Sequence, residues 1–357
     1  MSTAVAPTVW FRDIHFLDVG HGDCTIVDIP GRLTMIDINN CKTLARETEA
    51  ELRNKYKSKP RSALVNALYS GAAQTLGGPI RTPTIYDHIA DMALAEQKLK
   101  AARDKLTNPI DYLKAHFAGR EIFRYIQTHP DMDHMAGLHR LIEEKIGIVN
   151  FWDTKNCIAK NEEALRTGKA NNKDIRDWYT YQRLRSGTVP NLTVLTLARG
   201  AADKFYAEDG IGIWAPVDHK HAQNPNAEPN ALSYVLCMLV GNCRVVFGGD
   251  ADIAQWEEMH TFCGGNFGKV HLLKASHHGR KSGYHMPSVR AMNPDVTILS
   301  VGELKAKDDA DAKYEKYSNK GCHSTLEHGD IVARCWSDGD VWLRERDSLQ
   351  WFLKTFS

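Results

Sequence analysis

The sequence predicts an α/β protein in which two β-sheets pack face to face beneath covering helices. Three observations carry that reading. Short apolar runs bounded by Gly, Pro, Asn and Asp recur along both halves of the chain, the pattern of buried strands. Stretches rich in Ala, Leu, Glu, Lys and Arg, which favour helix, lie between them. Three of the runs stop at turns crowded with Asp and His, namely His129–His134, Gly249-Asp250 and Ser276–Gly279.

Taken in order, Trp10–Val19 reads as a strand broken by Gly20-His21-Gly22-Asp23, and Cys24–Ile29 resumes as a second. Pro30-Gly31 turns the chain into a third, Leu33–Ile38. From 42 to 107 strand patterns vanish, and the composition predicts a helical insertion of two pieces around a loop at 71–83. Pro109–His116 is a helix leading into a strand at Glu121–Gln127, and the spacing of Leu138, Leu141 and Ile142 makes Met135–Glu144 helical. Ile146–Trp152 is a strand, and 155–187 is a smaller helical insertion. Leu192–Leu197 and Ile211–Ala215 are strands, and Ser233–Val240 with Arg244–Phe247 is a hairpin of buried strands. A helix at Ile253–Phe262, a strand at Val270–Lys274, a helix at Ser288–Met292 and a strand at Val296–Val301 follow. Ile331–Trp336 and Val341–Arg344 close the chain as a hairpin on an Asp-Gly turn.

The 357 residues suit one large α/β domain, 1–357, carrying those two insertions. Apolar and charged fractions of 43% and 25% exclude disordered and fibrous classes. A net charge of +1 neither recommends nor excludes nucleic acid, because a basic groove can coexist with a balanced total. The eight cysteines include no Cys-x-x-Cys pair, and Met1–Pro7 lacks the basic and apolar regions of a signal peptide. Reduced thiols and a cytoplasmic location are expected, with no membrane association, since no apolar run nears the ~20 residues of a span.

The chemistry centres on Thr128-His129-Pro130-Asp131-Met132-Asp133-His134. Imidazole nitrogen and carboxylate oxygen are the ligands that zinc and related divalent ions accept. All three crowded turns follow apolar runs, so all three are placed to meet at one sheet edge, where a pair of ions would activate water. Asp250 is suited to lie between them. The first turn adds Asp18, His21 and Asp23, readable either as orienting ligands through hydrogen bonds or as setting loop geometry with Gly20 and Gly22. Asp37 is read as a support for the first strand's loop that does not touch metal. Arg280 and Lys281 follow the histidine pair and are candidates to grip an anionic substrate. The basic run Arg53–Arg61 and the aromatics Trp178, Tyr179 and Tyr181 each read as nucleic-acid contacts or, more simply, as a solvated helix end and as helix packing.

FLDVGHGD (Phe16–Asp23), LTMIDI (Leu33–Ile38), THPDMDH (Thr128–His134), NALS (Asn230–Ser233), VVFGGD (Val245–Asp250), LLKASHHG (Leu272–Gly279) and ILSVG (Ile298–Gly302) appear in an order that resembles the metallo-β-lactamase superfamily. The likeness is to the branch similar to the hydrolase domain of ComEC/Rec2 competence proteins. It implies an αββα sandwich, two mixed sheets flanked by helices, with metal at one edge; neither insertion has a counterpart in it. It further implies that His129 binds a first ion, that Asp133 and His134 bind a second, that Asp250 bridges, and that His277 or its neighbour His278 completes the second site. The superfamily motif is His-x-His-x-Asp-His, and Asp131 replaces its second His, as in the competence-protein branch. A site so enriched in oxygen shifts preference from zinc towards manganese or magnesium. A further ligand for the first ion is sought in His219, His221 or Asn230.

The function expected is that of a metal-dependent hydrolase, a phosphodiesterase or nuclease with two divalent ions (Zn or Mn, with Mg as the harder alternative), in which Asp133 also orients the attacking water. Nucleic acid or another phosphodiester is the expected substrate, and the helical insertions offer surface for a protein partner. The alternatives are a small-molecule hydrolase acting on a cyclic nucleotide, phosphoester or lactone, and a binding or assembly module that keeps the fold without activity.

Overall fold

The structure, a computed structural model, describes residues 9–40, 85–167, 174–201, 204–220, 222–301 and 308–355. The chain divides into two compact units, one of Met1–Thr43 with Leu106–Ser357 and one of Leu44–Lys105. The described part of the second unit is a helix, α1 (Ile85–Asp104). In the first unit, β1 (Phe11–Phe16), β2 (Thr25–Asp28) and β3 (Thr34–Ile36) are followed by α2 (Pro109–His116), β4 (Ile122–Ile126), α3 (Leu138–Glu143) and β5 (Ile148–Asp153). Then come α4 (Glu162–Arg166), α5 (Ile175–Arg185), β6 (Thr193–Thr196), α6 (Lys204–Glu208), β7 (Ile211–Ala215), β8 (Val235–Val240) and β9 (Cys243–Phe247). The rest is α7 (Ile253–Phe262), β10 (Leu272–Lys274), α8 (Met286–Met292), β11 (Val296–Leu299), α9 (Asp311–Glu315), β12 (Cys322–Ser324), α10 (Thr325–His328), β13 (Ile331–Trp336), β14 (Val341–Glu345) and β15 (Leu353–Lys354).

Nine strands form one sheet in the order β15-β14-β13-β1-β2-β3-β4-β5-β6, and six form the other, β12-β11-β10-β9-β8-β7. Both are mixed. β3 to β6 run parallel while β1 pairs antiparallel with β2 and β13. β9 to β12 run parallel while β7, β8 and β9 are antiparallel. Strand alternation builds the layers. Ile14 and Phe16 of β1 meet Leu236, Met238 and Val240 of β8 and Val245 and Phe247 of β9 in the core between the sheets. On the outer face of the larger sheet, Tyr125 and Phe151 pack under Ile110 and Leu113 of α2, Leu138 and Leu141 of α3, and Trp178 and Tyr181 of α5. On the outer face of the smaller sheet, Val246 and Leu273 pack under Trp256 and Met259 of α7, Val289 of α8 and Tyr314 of α9. The result is the expected αββα sandwich.

One contact between the layers was not legible in the sequence. Asp209, fully buried, accepts from Arg32 Nε at 2.9 Å and from Arg124 NH2 at 3.0 Å, and its carbonyl accepts from Arg12. Burial pushes the Arg124 guanidinium down, and the Asp209 carboxylate only partly opposes it.

Differences from the sequence reading are local. The first strand stops at Phe16 instead of Val19, because the chain bends there to place Asp18 and His21. The helix expected at Met135–Glu144 begins at Leu138, after a 3-10 turn at Met132–His134. The short elements α6, α9, β12, α10 and β15 escaped notice because two to five residues show no resolvable period. Of the 42–107 insertion, residues 42–84 lie outside the described residues, and with them the basic run Arg53–Arg61. The 155–187 segment holds α4 and α5, with 168–173 outside the described residues. Trp178 and Tyr181 are buried in the core and Tyr179 bonds Glu162 and Arg166, so this trio is packing and not a stacking platform. Among the described residues no helix is long and apolar enough to cross a membrane.

Candidate metal centre

The strand directions bring the crowded turns together. β1, β3 and β4 in one sheet and β9 and β10 in the other all finish at the same edge of the sandwich, releasing Asp18–Asp23, Asp37, Thr128–His134, Asp250 and His277–His278 there. Backbone bonds lock the turns to one another. Ile38 N donates to His134 O (3.0 Å), Asp23 N to Asp133 O (3.3 Å), Tyr234 N to Thr128 O (2.9 Å) and His277 N to Gly249 O (2.9 Å). Gly249 sits at φ 50°, and a Cβ there would lie 2.6 Å from the Tyr234 carbonyl, so the approach of Asp250 to the site requires glycine before it.

Hydrogen bonds at one ring nitrogen of each histidine decide where the other points. Asp37 Oδ2 lies 2.7 Å from His134 Nδ1, so Nδ1 carries a proton and Nε2 is the nitrogen turned to the site. Thr128 Oγ1 donates to Asp37 (2.6 Å) and therefore accepts from His129 Nδ1 (3.0 Å). His278 Nδ1 donates to the Ser300 carbonyl at 3.1 Å. The Nε2 atoms of His129, His134 and His278 are thus the ring nitrogens left for the site, all buried and without a hydrogen-bond partner, as is Asp250 Oδ1. His134 Nε2 is 3.3 Å and His278 Nε2 3.4 Å from Asp250 Oδ2, and His278 Nε2 is 3.9 Å from Asp133 Oδ2.

Ligand atoms of His129, His134 and Asp250 lie within 4.8 Å of one another, as do those of Asp133, His134 and His278, and of Asp23, Asp250 and His278. Lone pairs and carboxylates aimed at one space repel each other unless a cation lies between them, and this donor set suits a divalent ion. The electrostatics agree. Burial works against the charged form of His134, and the carboxylates of Asp250 and Asp37 outweigh it, holding its pKa well above the ordinary range. Burial, with His134 beside it, pushes His129 down to about 3. Asp37, His277 and His278 all hold left-handed backbone at φ 56°, 51° and 56°, a strain of about 1–3 kcal/mol each that the surrounding bonds must sustain.

The remaining expected residues are placed as follows. His277 is more exposed than His278, its Nε2 lies 3.9 Å from Asp250 and its Nδ1 pairs with Ser282 Oγ at 2.8 Å. His278 and not His277 enters the close groups. Asp131 turns outward, caps Met132 N and pairs with Lys160 Nζ at 3.0 Å. His219 lines a separate cavity of about 240 Å³ with Thr154, Asp252 and Gln255, and His221 lies outside the described residues. Asn230 accepts from Ser233 N, and Ser233 Oγ accepts from Asp250 N at 3.1 Å, so the Asn-x-x-Ser turn braces Asp250 from behind. Asp18 accepts from Gly20 N and receives its own support from Asp330, behind the turn. His21 Nε2 lies 4.0 Å from Asp133 Oδ2 and 3.1 Å from an Arg280 nitrogen, which brings Arg280 to the rim; Lys281 N bonds Asp308 O. Sequence reasoning missed Lys274, 2% exposed at the end of β10, whose ammonium pairs with Asp23. A lysine closing an apolar strand was the available signal.

No protein-family model and no curated protein matches the chain. Among solved structures it is similar to the metallo-β-lactamase fold protein YhfI from Bacillus subtilis (TM-score 0.41, 9% identity, 90% of this chain and 99% of that one). It is also similar to Igni18, a metallo hydrolase from the archaeon Ignicoccus hospitalis (TM-score 0.41, 10% identity, 90% and 98%), and to a diphosphatase of the PhnP family (TM-score 0.37, 11% identity, 92% and 99%).

Proposed function

We propose that this protein is a metal-dependent hydrolase of the metallo-β-lactamase superfamily, ComEC/Rec2-like branch, that cleaves phosphodiesters, with nucleic acid as its substrate. The observation that carries the reading is the convergence of three buried imidazole nitrogens, none with a hydrogen-bond partner, on the carboxylates of Asp250 and Asp133. His129, His134 and Asp250 would hold one divalent ion, and Asp133 and His278, with His134 beside them, a second, His278 and not His277 being among the close ligand atoms. Asp131, engaged by Lys160, supports the rim instead of the first ion.

When bound, the ions supply Lewis acidity towards a phosphoryl oxygen and acidify water. The chain's own groups do the rest. Asp133, whose side chain is 16% exposed against 5% for Asp250, would orient the attacking water and receive its proton, a role its greater exposure supports. Asp37 and Ser300 hold the imidazoles in one tautomer. Arg280, at the rim beside His21 and Asp133, supports the choice of an anionic substrate by offering donors to a non-bridging oxygen.

The test is incubation of the chain with single- and double-stranded DNA, RNA and a chromogenic phosphodiester, each with zinc, manganese and magnesium, beside the Asp133→Ala variant. Metal-dependent cleavage lost in the variant supports the reading. A chain that binds no metal and cleaves none of these is a binding module.

A further inference from the structure

A second cluster lies away from the candidate centre, where α3 meets α5. His139 of α3 is 8% exposed. Asp177 accepts from both its backbone N–H (2.9 Å) and its Nδ1 (2.6 Å), so Nδ1 is committed to Asp177 and Nε2 is the free ring nitrogen. That Nε2 is buried and has no hydrogen-bond partner. It faces two carboxylates, Glu143 Oε2 at 3.9 Å, one helical turn on, and Asp174 Oδ2 at 3.9 Å, at the cap of α5. A buried ring nitrogen facing two carboxylates calls for a positive charge between them, a proton or a metal ion.

Arg176 supplies part of that charge from outside. Its NH1 lies 3.2 Å from Glu143 Oε1 and its NH2 2.6 Å from Asp174 Oδ2, and Arg140 Nε lies 3.8 Å from Glu143 Oε2. Arg176 is 58% exposed and contacts the carboxylates only, so it leaves the imidazole nitrogen unanswered.

We propose that His139, Glu143 and Asp174 form a second, peripheral divalent-metal site, of zinc type, that fastens the inserted helix α5 to the helix following the catalytic turn. One imidazole nitrogen and two carboxylates, with two ligands spaced i,i+4 on one helix, are a donor set that zinc accepts, and Asp177 provides the carboxylate that fixes the ring. The ion displaces Arg176 towards solvent. Its role is structural, because no ligand reaches the candidate centre.

The experiment is calorimetric titration of zinc into the chelator-stripped full chain, with elemental analysis of the loaded protein. Glu143→Gln/Asp174→Asn, both at partly exposed positions that leave His139 in place, should remove one equivalent of zinc while phosphodiester hydrolysis is unchanged. Asp177→Asn should weaken the same equivalent about 10–100-fold. Circular dichroism verifies that the variants fold. His134→Ala, which removes a ligand of the other centre, should keep this equivalent, so the two sites fail independently. Equal zinc counts in the wild type and the double variant overturn the proposal. So does a ¹⁵N signature in zinc-loaded protein showing His139 protonated on both nitrogens.

Discussion

Asp37 Oδ2 lies 2.7 Å from His134 Nδ1, across 97 positions of sequence, and both side chains are fully buried. The same carboxylate accepts from Thr128 N at 2.7 Å and from Thr128 Oγ1 at 2.6 Å, so one group orients His134 directly and His129 through a hydroxyl. Asp37→Asn keeps the volume and withdraws the charge that fixes these tautomers. It should lower affinity for a divalent ion at the candidate centre about 10–100-fold. Zinc titration of the variant against the wild type measures this, and an unchanged affinity would free Asp37 from the role.

Asp133→Ala and His134→Ala should each lower phosphodiester turnover by about 10³-fold or more, the scale of losing a group that acts on the transition state. Both variants should retain wild-type circular dichroism. Full activity in either would sink the site assignment.

The sandwich has its own electrostatic pin, distant from catalysis in role. Asp209 is the shared carboxylate of Arg32 and Arg124, and its carbonyl receives Arg12. Asp209→Ala leaves Arg124, 1% exposed, buried without its counter-charge. The expected loss is about 3–5 kcal/mol of folding stability, read from urea denaturation. A loss below about 1 kcal/mol would mean that water replaces the carboxylate at no great cost.

His15 donates to or accepts from Tyr112 Oη at 2.7 Å beneath Phe117, and burial pushes its pKa down to about 4 from 6.5. Because the folded value is the lower one, the unfolded chain binds a proton first as the pH falls. The stability contributed by neutral His15 is therefore intact above 6.5 and is lost progressively between 6.5 and about 4, on the order of 3 kcal/mol in all. His15→Gln should flatten that part of the stability-versus-pH curve. Urea midpoints of both proteins at pH 7 and pH 5 decide the matter: equal drops would exonerate His15.

Much of this protein is read from the chain. The strand-and-turn rhythm announces two sheets with helices around them, since alternation and punctuation are local properties. Crowding of Asp and His at 129–134, 250 and 276–278 marks where chemistry belongs, because those turns follow apolar runs. Only the tertiary structure decided which atoms face inward. His277 and His278 are neighbours of one type, and what separates them is a carbonyl at Ser300 that fixes one ring and buries it. Asp131 and Asp133 alternate in one motif, yet Lys160, 29 residues on, draws the first outward. Lys274 with Asp23, 251 positions apart, and Asp209 with its three arginines are invisible to any local pattern. The physical reason is common to all of them. A side chain's direction and protonation are set by the partners that burial forces on it, and those partners come from other layers of the fold.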